Sequence, residues 1–326
     1  MKTPISLIID DPAPGISVYY EHAGTDVTRD GRPLIPVYPN ELAFRFFDVA
    51  EKYGIKGKFS VVPMPGNKGD VVHGLEGIAP EDLAEWMDAV KTRLMPNFSI
   101  GPEMLTHHKA VDLATGRALA MNERDWAATQ SRETLTPYVT KALEILKEAG
   151  IRSIGVTSPW DFGIEVEDEY QKSVSEAVEA VSGSKESWLF LRALRDRADA
   201  KPWVALEEDG RTLVAIPATT RDHFWQTIDT TRTDEDFIRS LADKLITEDG
   251  TDGEMIRVLE SGGYPILISH WQSLMSNGLG TGVRALEEVC KRIEKNLSDR
   301  VEWMSFEEIL ALVTAKKEDY PKPEFE

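Results

Sequence analysis

The sequence of 326 residues predicts an α/β fold in which parallel strands alternate with helices. Two observations support this fold class. Short apolar segments rich in β-branched residues recur along the chain, and a longer segment with apolar residues at helical spacing follows almost every one of them. Parallel strands joined by crossover helices form either a closed barrel or an open doubly wound sheet. The alternation by itself leaves both architectures open.

Each predicted element has its own sequence signal. Turn residues bound the strands, and capping residues bound the helices, as with Asn40 before the first helix and Gly150 after the third. Asp209-Gly210 indicates a hairpin between residues 203–206 and 212–216, either added to the fifth strand or part of it. The predicted strands cover residues 5–9, 58–63, 98–104, 151–156, 188–191, 265–269 and 301–304. The predicted helices cover residues 41–53, 80–94, 125–149, 167–181, 234–260, 283–297 and 306–313.

The domain organisation is simple. Residues 1–313 are predicted to form a single domain, because no change in composition marks a boundary within them. Residues 314–326 should form a mobile or loosely docked tail. Within the domain, Pro137 should kink or split the helix predicted over 125–149, since proline lacks the amide hydrogen that a helix interior needs.

The composition excludes several classes of partner. The net charge of −19 repels phosphate backbones and anionic lipids, so neither nucleic acid nor a membrane is an expected partner. The single cysteine, Cys290, excludes an intramolecular disulfide and is expected in the core. No export signal precedes the first strand and no segment is apolar enough for a membrane span, which favours a cytoplasmic location. The oligomeric state stays open, with a homo-oligomer among the alternatives.

The first predicted strand ends in two adjacent carboxylates, Asp10 and Asp11. The apolar run of residues 5–9 predicts a strand buried on both faces, and Pro12 stops it. Two acids are costly there unless positive charge compensates them. Because α/β folds carry their chemistry at the carboxyl ends of strands, the pair is a candidate site. A role as ordinary turn-capping residues explains the same pair without chemistry.

The six histidines all fall at or just after the carboxyl ends of predicted strands. An acid pair with loop histidines indicates a divalent metal, zinc or another first-row ion. His108 and Asp112 are four residues apart, so one turn of helix would aim both side chains at one point. Aromatic rings nearby suit a sugar face, although they could equally be packing residues. The histidines are His22, His73, His107, His108, His223 and His270, and the aromatic residues are Tyr19, Tyr20, Trp160, Phe224, Trp225 and Trp271.

Several strand ends resemble the motifs of the polysaccharide deacetylase superfamily, of the NodB-homology or carbohydrate esterase family four type. Ile8-Ile9-Asp10-Asp11 is similar to the first motif, and Leu267-Ile268-Ser269-His270 is similar to the last. Glu103-Met104-Leu105-Thr106-His107 is similar to the first half of the second motif. The resemblance covers nearly the whole chain in element order. It implies a distorted (β/α)7 barrel with parallel strands and long loops at the carboxyl face.

The resemblance also implies a role for each matching residue. Asp10 would be the general base, Asp11 and His107 would be metal ligands, and His270 would be the general acid. A metal, zinc first among the choices, would lower the pKa of a bound water. The activity implied is removal of an acyl group, with N-acetyl as the first choice, from a small carbohydrate or related amide.

Two motifs depart from the family pattern. Val111 stands where the second histidine ligand is expected, so His108 or Asp112 would have to complete the metal site. The segment Thr157-Ser158-Pro159-Trp160 stands at the third motif and has no arginine to hold the base. These departures keep a non-catalytic carbohydrate-binding relative among the alternatives.

Three residues after predicted strand ends are candidates for substrate contact, and a pair of carboxylates keeps a second enzyme class open. Trp160, Asp161 and Trp271 are candidate substrate-binding residues, because they follow strands that end at the same face. A glycoside hydrolase on the same barrel would instead use a pair of carboxylates, with Asp10 and Asp161 as candidates.

Overall fold

The structure is a computed structural model that describes residues 2–17 and 24–325. His22, Tyr19 and Tyr20 lie outside the described residues. The strands are β1 Thr3–Asp10, β2 Gly57–Val61, β3 Gly69–Asp70, β4 Gly74–Leu75, β5 Phe98–Pro102, β6 Lys109–Asp112, β7 Arg117–Asn122, β8 Gly155–Thr157, β9 Glu186–Phe190, β10 Trp203–Glu208, β11 Arg211–Ala215, β12 Ile266–His270 and β13 Val301–Trp303. The α-helices are α1 Asn40–Lys52, α2 Pro80–Ala89, α3 Glu123–Ala127, α4 Arg132–Glu148, α5 Glu167–Ser182, α6 Glu235–Ala242, α7 Glu254–Glu260, α8 Trp271–Met275, α9 Thr281–Leu297 and α10 Phe306–Thr314.

Parallel strands form a closed, distorted barrel. β1 lies between β12 and β2, β2 pairs with β5, and β9 lies between β8 and β11. Two narrower contacts complete the ring. A single bridge joins Glu103 after β5 to Thr157 of β8, and the amide of Thr219, beyond β11, donates to the carbonyl of Ile266 in β12 at 2.9 Å. The prediction of an α/β barrel with parallel strands is therefore confirmed.

The seven strands of the ring differ from the seven predicted strands in one member, because β11 takes the place expected for β13. β11, the second arm of the predicted hairpin, pairs parallel with β9 and belongs to the ring, while β10 pairs antiparallel along its outer side. β13, the predicted seventh strand, pairs with Thr3–Ile5 at the start of β1 and with no other strand in the described part of the chain. The sequence could not separate these cases, because a short apolar segment fits a barrel strand and a flanking strand equally well.

Two local predictions are wrong in detail. The helix expected over 125–149 is divided between α3 and α4, while Pro137 lies inside α4 without ending it. A new helix starts here because Ser131 is the N-cap residue of α4 and its amide donates to the Thr134 hydroxyl at 3.2 Å. Residues 109–124, for which neither a strand nor a helix was predicted, contain the antiparallel β6–β7 hairpin.

One connected apolar core runs from Ile5 to Tyr320 and includes Cys290, as predicted for that cysteine. The C-terminal segment packs against this core, because Tyr320 is buried and its hydroxyl lies 2.6 Å from that of Tyr264. Among the described residues, no helix is both long and apolar enough to cross a membrane.

Candidate active site

Asp10 and His270 stand side by side at the carboxyl ends of two neighbouring strands. They are partners in the parallel register of β1 and β12, so their side chains project to the same side of the sheet. The side chain of Asp10 is 7% exposed and that of His270 is 22% exposed. The barrel thus brings together the ends of the first and the last predicted motifs.

Asp11, Glu103 and His107 form a buried group of side chains that could hold a metal ion. One ligand atom of each residue lies within 4.8 Å of the other two. Nε2 of His107 is 2.9 Å from Oδ1 of Asp11 and 3.5 Å from Oε1 of Glu103. The backbone amide of Asp11 also donates to Oε2 of Glu103 at 2.7 Å. Glu103 therefore occupies the place that the sequence analysis gave to His108 or Asp112.

The backbone around this group is strained. Asp11 and His107 have φ angles of 68° and 51°, in the left-handed region that residues with a Cβ rarely adopt. Met104, Trp160 and Asp161 also have positive φ angles. Such conformations cost about 1–3 kcal/mol each and persist only where the surroundings enforce them. Because five such conformations occur around this one group, we infer that the surrounding contacts hold these side chains in a specific geometry.

The donor set fits a divalent cation. Two carboxylates and an imidazole are ligands for zinc and other first-row divalent ions. Burial and the nearby charges of Asp10 and Asp11 raise the pKa of Glu103 to about 8. Burial opposes the charged form of His107, but the carboxylate of Asp11 outweighs it and raises the pKa of His107 to about 9. A cation among these groups would offset the repulsion between the carboxylates.

Glu123, at the start of α3, holds the loop that carries His107. Its side chain is fully buried and accepts hydrogen bonds from the backbone amides of Leu105, Thr106 and His107 at 3.1, 2.9 and 2.8 Å. The hydroxyl of Tyr138 donates to the same carboxylate at 2.7 Å. Burial raises the pKa of Glu123 above its ordinary value, although these hydrogen bonds oppose the rise. The four donors fix the loop in its strained conformation.

Asp222 holds His270. Its Oδ2 lies 2.8 Å from Nδ1 of His270 and accepts the Ser273 hydroxyl at 2.7 Å. The ring of Trp225 contacts the imidazole edge-on, with 5.1 Å between ring centroids. Burial opposes the imidazolium, but the hydrogen bond to Asp222 and the charge of Asp11 raise the pKa of His270 to about 9. The raised pKa favours the imidazolium form of His270 at neutral pH.

Two further buried side chains contact the aspartates directly. The ammonium group of Lys58, on β2, forms an ion pair with Oδ1 of Asp10. The side-chain amide of Gln272, in α8, donates to Oδ2 of Asp11. Each aspartate thus has one carboxylate oxygen held by a fixed donor.

Two predicted ligands lie away from the Asp11–Glu103–His107 group. Nδ1 of His108 lies 3.0 Å from Oδ1 of Asn67. Asp112 ends β6 and accepts the amide of Ala114 at 2.8 Å, so its carboxylate caps the hairpin turn. The helical spacing predicted for this pair is wrong because the chain is extended here. Four residues of strand span roughly 13 Å, whereas one helical turn spans about 5 Å.

The predicted substrate contacts have different positions. Trp271 is 2% exposed and packs edge-on against Phe46 and Phe59, which identifies it as a core residue and does not suit a substrate contact. Trp160 is half-buried, and its ring lies 4.1 Å from that of His107. Asp161 follows it in an exposed turn, outside the buried acidic group.

A cleft of about 540 Å³ adjoins the site at Trp160. His108, Asn122 and Arg124 line its other walls, so the β6–β7 hairpin forms one side of it. The remaining described histidines make local contacts with carboxylates: His73 contacts Asp70, and His223 contacts Glu254.

Four residues of the site were not predicted from the sequence, namely Lys58, Glu123, Asp222 and Gln272, and a fifth, Glu103, was named without a ligand role. Lys58 and Ser60 alternate with apolar residues in β2, a pattern that could have indicated a polar strand face inside the barrel. Asp222 and Glu123 gave no local signal, because their partners lie in distant segments.

The comparisons with known proteins support the fold. No protein-family model matches the chain, and no curated protein matches it in sequence. A provisionally named polysaccharide deacetylase from Mycobacterium smegmatis superposes with a TM-score of 0.55 at 14% identity, over 100% of this chain and 94% of that protein. The chain therefore shares its fold with that structure.

Two more distant structures cover most of this chain. A 4-α-glucanotransferase from Thermococcus litoralis has a TM-score of 0.45 at 13% identity, over 95% of this chain and 40% of that one. A CE4-family pseudoenzyme from Bacillus anthracis has a TM-score of 0.40 at 12% identity, over 95% of this chain and 66% of that one. Neither likeness is strong enough to bear on function.

Proposed function

We propose that this protein is a metal-dependent hydrolase that removes an acyl group, N-acetyl first among the choices, from a carbohydrate or related amide. One observation carries the proposal. The buried Asp11–Glu103–His107 group lies at the same barrel edge as Asp10 and His270, which are in register on adjacent strands. A metal site beside a carboxylate and a protonated imidazole provides the groups that catalyse amide hydrolysis.

Asp11, Glu103 and His107 are the residues that would hold the ion. When bound, it would lower the pKa of a water molecule and offset charge on the amide oxygen. Zinc is our first choice of metal, because it accepts both imidazole and carboxylate ligands. Gln272 and Glu123 would orient this group from behind, through their hydrogen bonds to Asp11 and to the amide of His107.

The proton transfers are assigned to Asp10 and His270. Asp10 accepts a proton from the water whose oxygen forms a bond to the amide carbon. The bond between carbon and nitrogen then breaks, and His270 gives its proton to the departing amine. The products are a free amine and a carboxylic acid. Asp222 keeps Nδ1 of His270 engaged, so the proton is delivered from the other ring nitrogen.

The substrate proposed is a small carbohydrate or other N-acylated molecule bound in the cleft at Trp160. An apolar ring beside a cleft with amide, imidazole and guanidinium side chains suits a sugar, which presents both an apolar face and hydroxyl groups. A cytoplasmic location, and neither nucleic acid nor a membrane as partner, remain our expectations from the sequence.

The test combines metal content with turnover. Protein purified without chelator should contain about one equivalent of divalent metal, and Asp11→Asn should lose it while the exposed control Asp48→Asn keeps it. Asp10→Asn and His270→Asn should each reduce acetate release from N-acetylated sugar oligomers at least 100-fold.

The exposed histidine variant His73→Asn is the control for turnover and should retain the wild-type rate. Failure of the wild-type protein to bind zinc or manganese when either is supplied in excess would refute the metal-dependent mechanism. Full turnover by His270→Asn would refute its role as general acid.

A further inference from the structure

Lys58 is a completely buried lysine in the barrel interior. Its ammonium group forms the ion pair with Asp10, donates to the Ser60 hydroxyl at 2.6 Å and lies 3.5 Å from the carbonyl oxygen of Ile9. An ammonium group has three hydrogens, and these three oxygens can receive them. Its position is therefore fixed from three sides.

A buried lysine needs a specific reason. Lysine is almost never fully buried unless it is paired, and a buried ion pair is weak evidence for stability, because apolar residues of similar volume often do as well. The ring of Phe190 also lies 5.2 Å from the Lys58 nitrogen. An apolar residue at this position could not hold the carboxylate of Asp10, as the ammonium group of Lys58 does.

The polar contacts of Lys58 continue to the segment where the arginine of the third motif was expected. The hydroxyl of Ser60 donates to that of Thr157 at 3.3 Å, and Thr157 begins the sequence Thr157-Ser158-Pro159-Trp160. A short polar chain thus connects Asp10, Lys58, Ser60 and Thr157 across the barrel. In the described structure, the cation beside Asp10 comes from β2.

We propose that Lys58 is the positioning residue of Asp10 and supplies, from the second strand, the fixed cation that the third motif lacks. Lys58 occupies Oδ1 of Asp10, which leaves the other carboxylate oxygen to accept the proton of the attacking water. The inference rests on the proposed hydrolase function and deepens it by assigning a residue that acts through the base. Lys58 itself does not touch the substrate.

The first variants are Lys58→Met, which keeps the length of the side chain without its charge, and Lys58→Arg, which restores the charge. Lys56→Met is the matched control, because Lys56 lies two positions away and pairs with Glu308 at the surface. Acetate release from N-acetylglucosamine oligomers gives kcat and KM, and bound zinc is measured on the same samples.

Lys58→Met should lower kcat about 100-fold, because a base that is no longer held in position loses most of its advantage. KM and the bound zinc should change less than about threefold, and Lys58→Arg should recover at least tenfold in kcat. A merely structural lysine would instead lower the apparent kcat and the bound zinc by the same factor, through loss of folded protein. Unchanged kcat in a folded Lys58→Met variant would overturn the inference.

The double variant Asp10→Asn with Lys58→Met tests whether Lys58 acts through Asp10. If it does, adding Lys58→Met to Asp10→Asn should lower residual turnover less than about threefold, since the base is already absent. A further tenfold loss would overturn the inference. The double variant also leaves no unpaired buried charge, so it carries the test if Lys58→Met alone does not fold.

The two proposals fail in different ways. A wild-type protein that binds zinc but turns over none of the N-acetylated sugars would refute the hydrolase and the role of Lys58 together. Wild-type turnover that Lys58→Met matches would refute only the role of Lys58.

Discussion

The ion pair between His270 and Asp222 makes a prediction that needs no substrate. The pKa of His270, about 9, lies above the ordinary value near 6.5. A difference of this size corresponds to roughly 3 kcal/mol in favour of the imidazolium. The hydrogen bond to Asp222 is the largest of the contributions that raise the pKa. Because a hydrogen bond to a charged group contributes about 1.5–3 kcal/mol, Asp222→Asn should lower the pKa of His270 by about 1–2.

The same pair makes stability depend on pH. The folded-state pKa of His270 is higher than that of the unfolded chain, so its contribution to the free energy of unfolding is complete below about pH 6.5. It is lost as the pH rises through about 9. Asp222→Asn should therefore unfold more easily than the wild type at pH 6, and the difference should shrink toward pH 10.

NMR titration of the histidine ring protons measures the pKa directly, with His270→Asn identifying the resonance. Urea unfolding at several pH values measures the change in stability. Asp229→Asn, in the same loop but paired with Arg29, is the control and should leave both quantities unchanged. An unchanged His270 titration in Asp222→Asn would show that the assigned cause of its high pKa is wrong.

Three further predictions concern the Asp11–Glu103–His107 group and the tryptophans Trp160 and Trp271. Glu123→Gln should weaken zinc binding about 10- to 100-fold, because the loop of His107 loses a carboxylate acceptor; equal affinity by calorimetry would contradict this. Glu103→His should raise the preference for zinc over manganese, since imidazole is the softer ligand, and competition binding would show no change if Glu103 were not a ligand. Trp271→Ala should lower the free energy of unfolding in urea by about 3–5 kcal/mol, whereas Trp160→Ala should lower it less and mainly raise KM; equal losses of stability would refute the distinction.

The parts of the fold that follow from local pattern were predictable. Residues 5–9 are apolar except for Ser6, and a strand buried on both faces is the arrangement that satisfies them. His270 ends a similar run, so its place at the carboxyl edge follows from the strand itself. The closeness of Asp10 to His270 did not follow from local pattern alone, because it depends on β1 and β12 being adjacent in the barrel.

The Asp11–Glu103–His107 group shows where the local sequence pattern is ambiguous. Glu103 and His107 are four residues apart, the same spacing that the resemblance assigns to its two histidines. The resemblance as stated above instead places His107 first in the pair and the second ligand at residue 111. An alignment with Glu103 in the first position would have named the observed group, but only if a carboxylate were accepted in place of an imidazole.

The conformation that joins Glu103 to His107 could not be read from the residues between them. Positive φ angles at Met104 and His107 fold the chain back after β5, and residues other than glycine rarely adopt them. The amides exposed by this turn are instead bound by Glu123, which follows in the chain only after the β6–β7 hairpin. Removing that carboxylate would leave buried donors unpaired at a cost of about 1–3 kcal/mol each, similar to the strain that they help to maintain. The shape of the candidate metal site is therefore specified by a residue outside it, which explains why the ligand types were easier to anticipate than their arrangement.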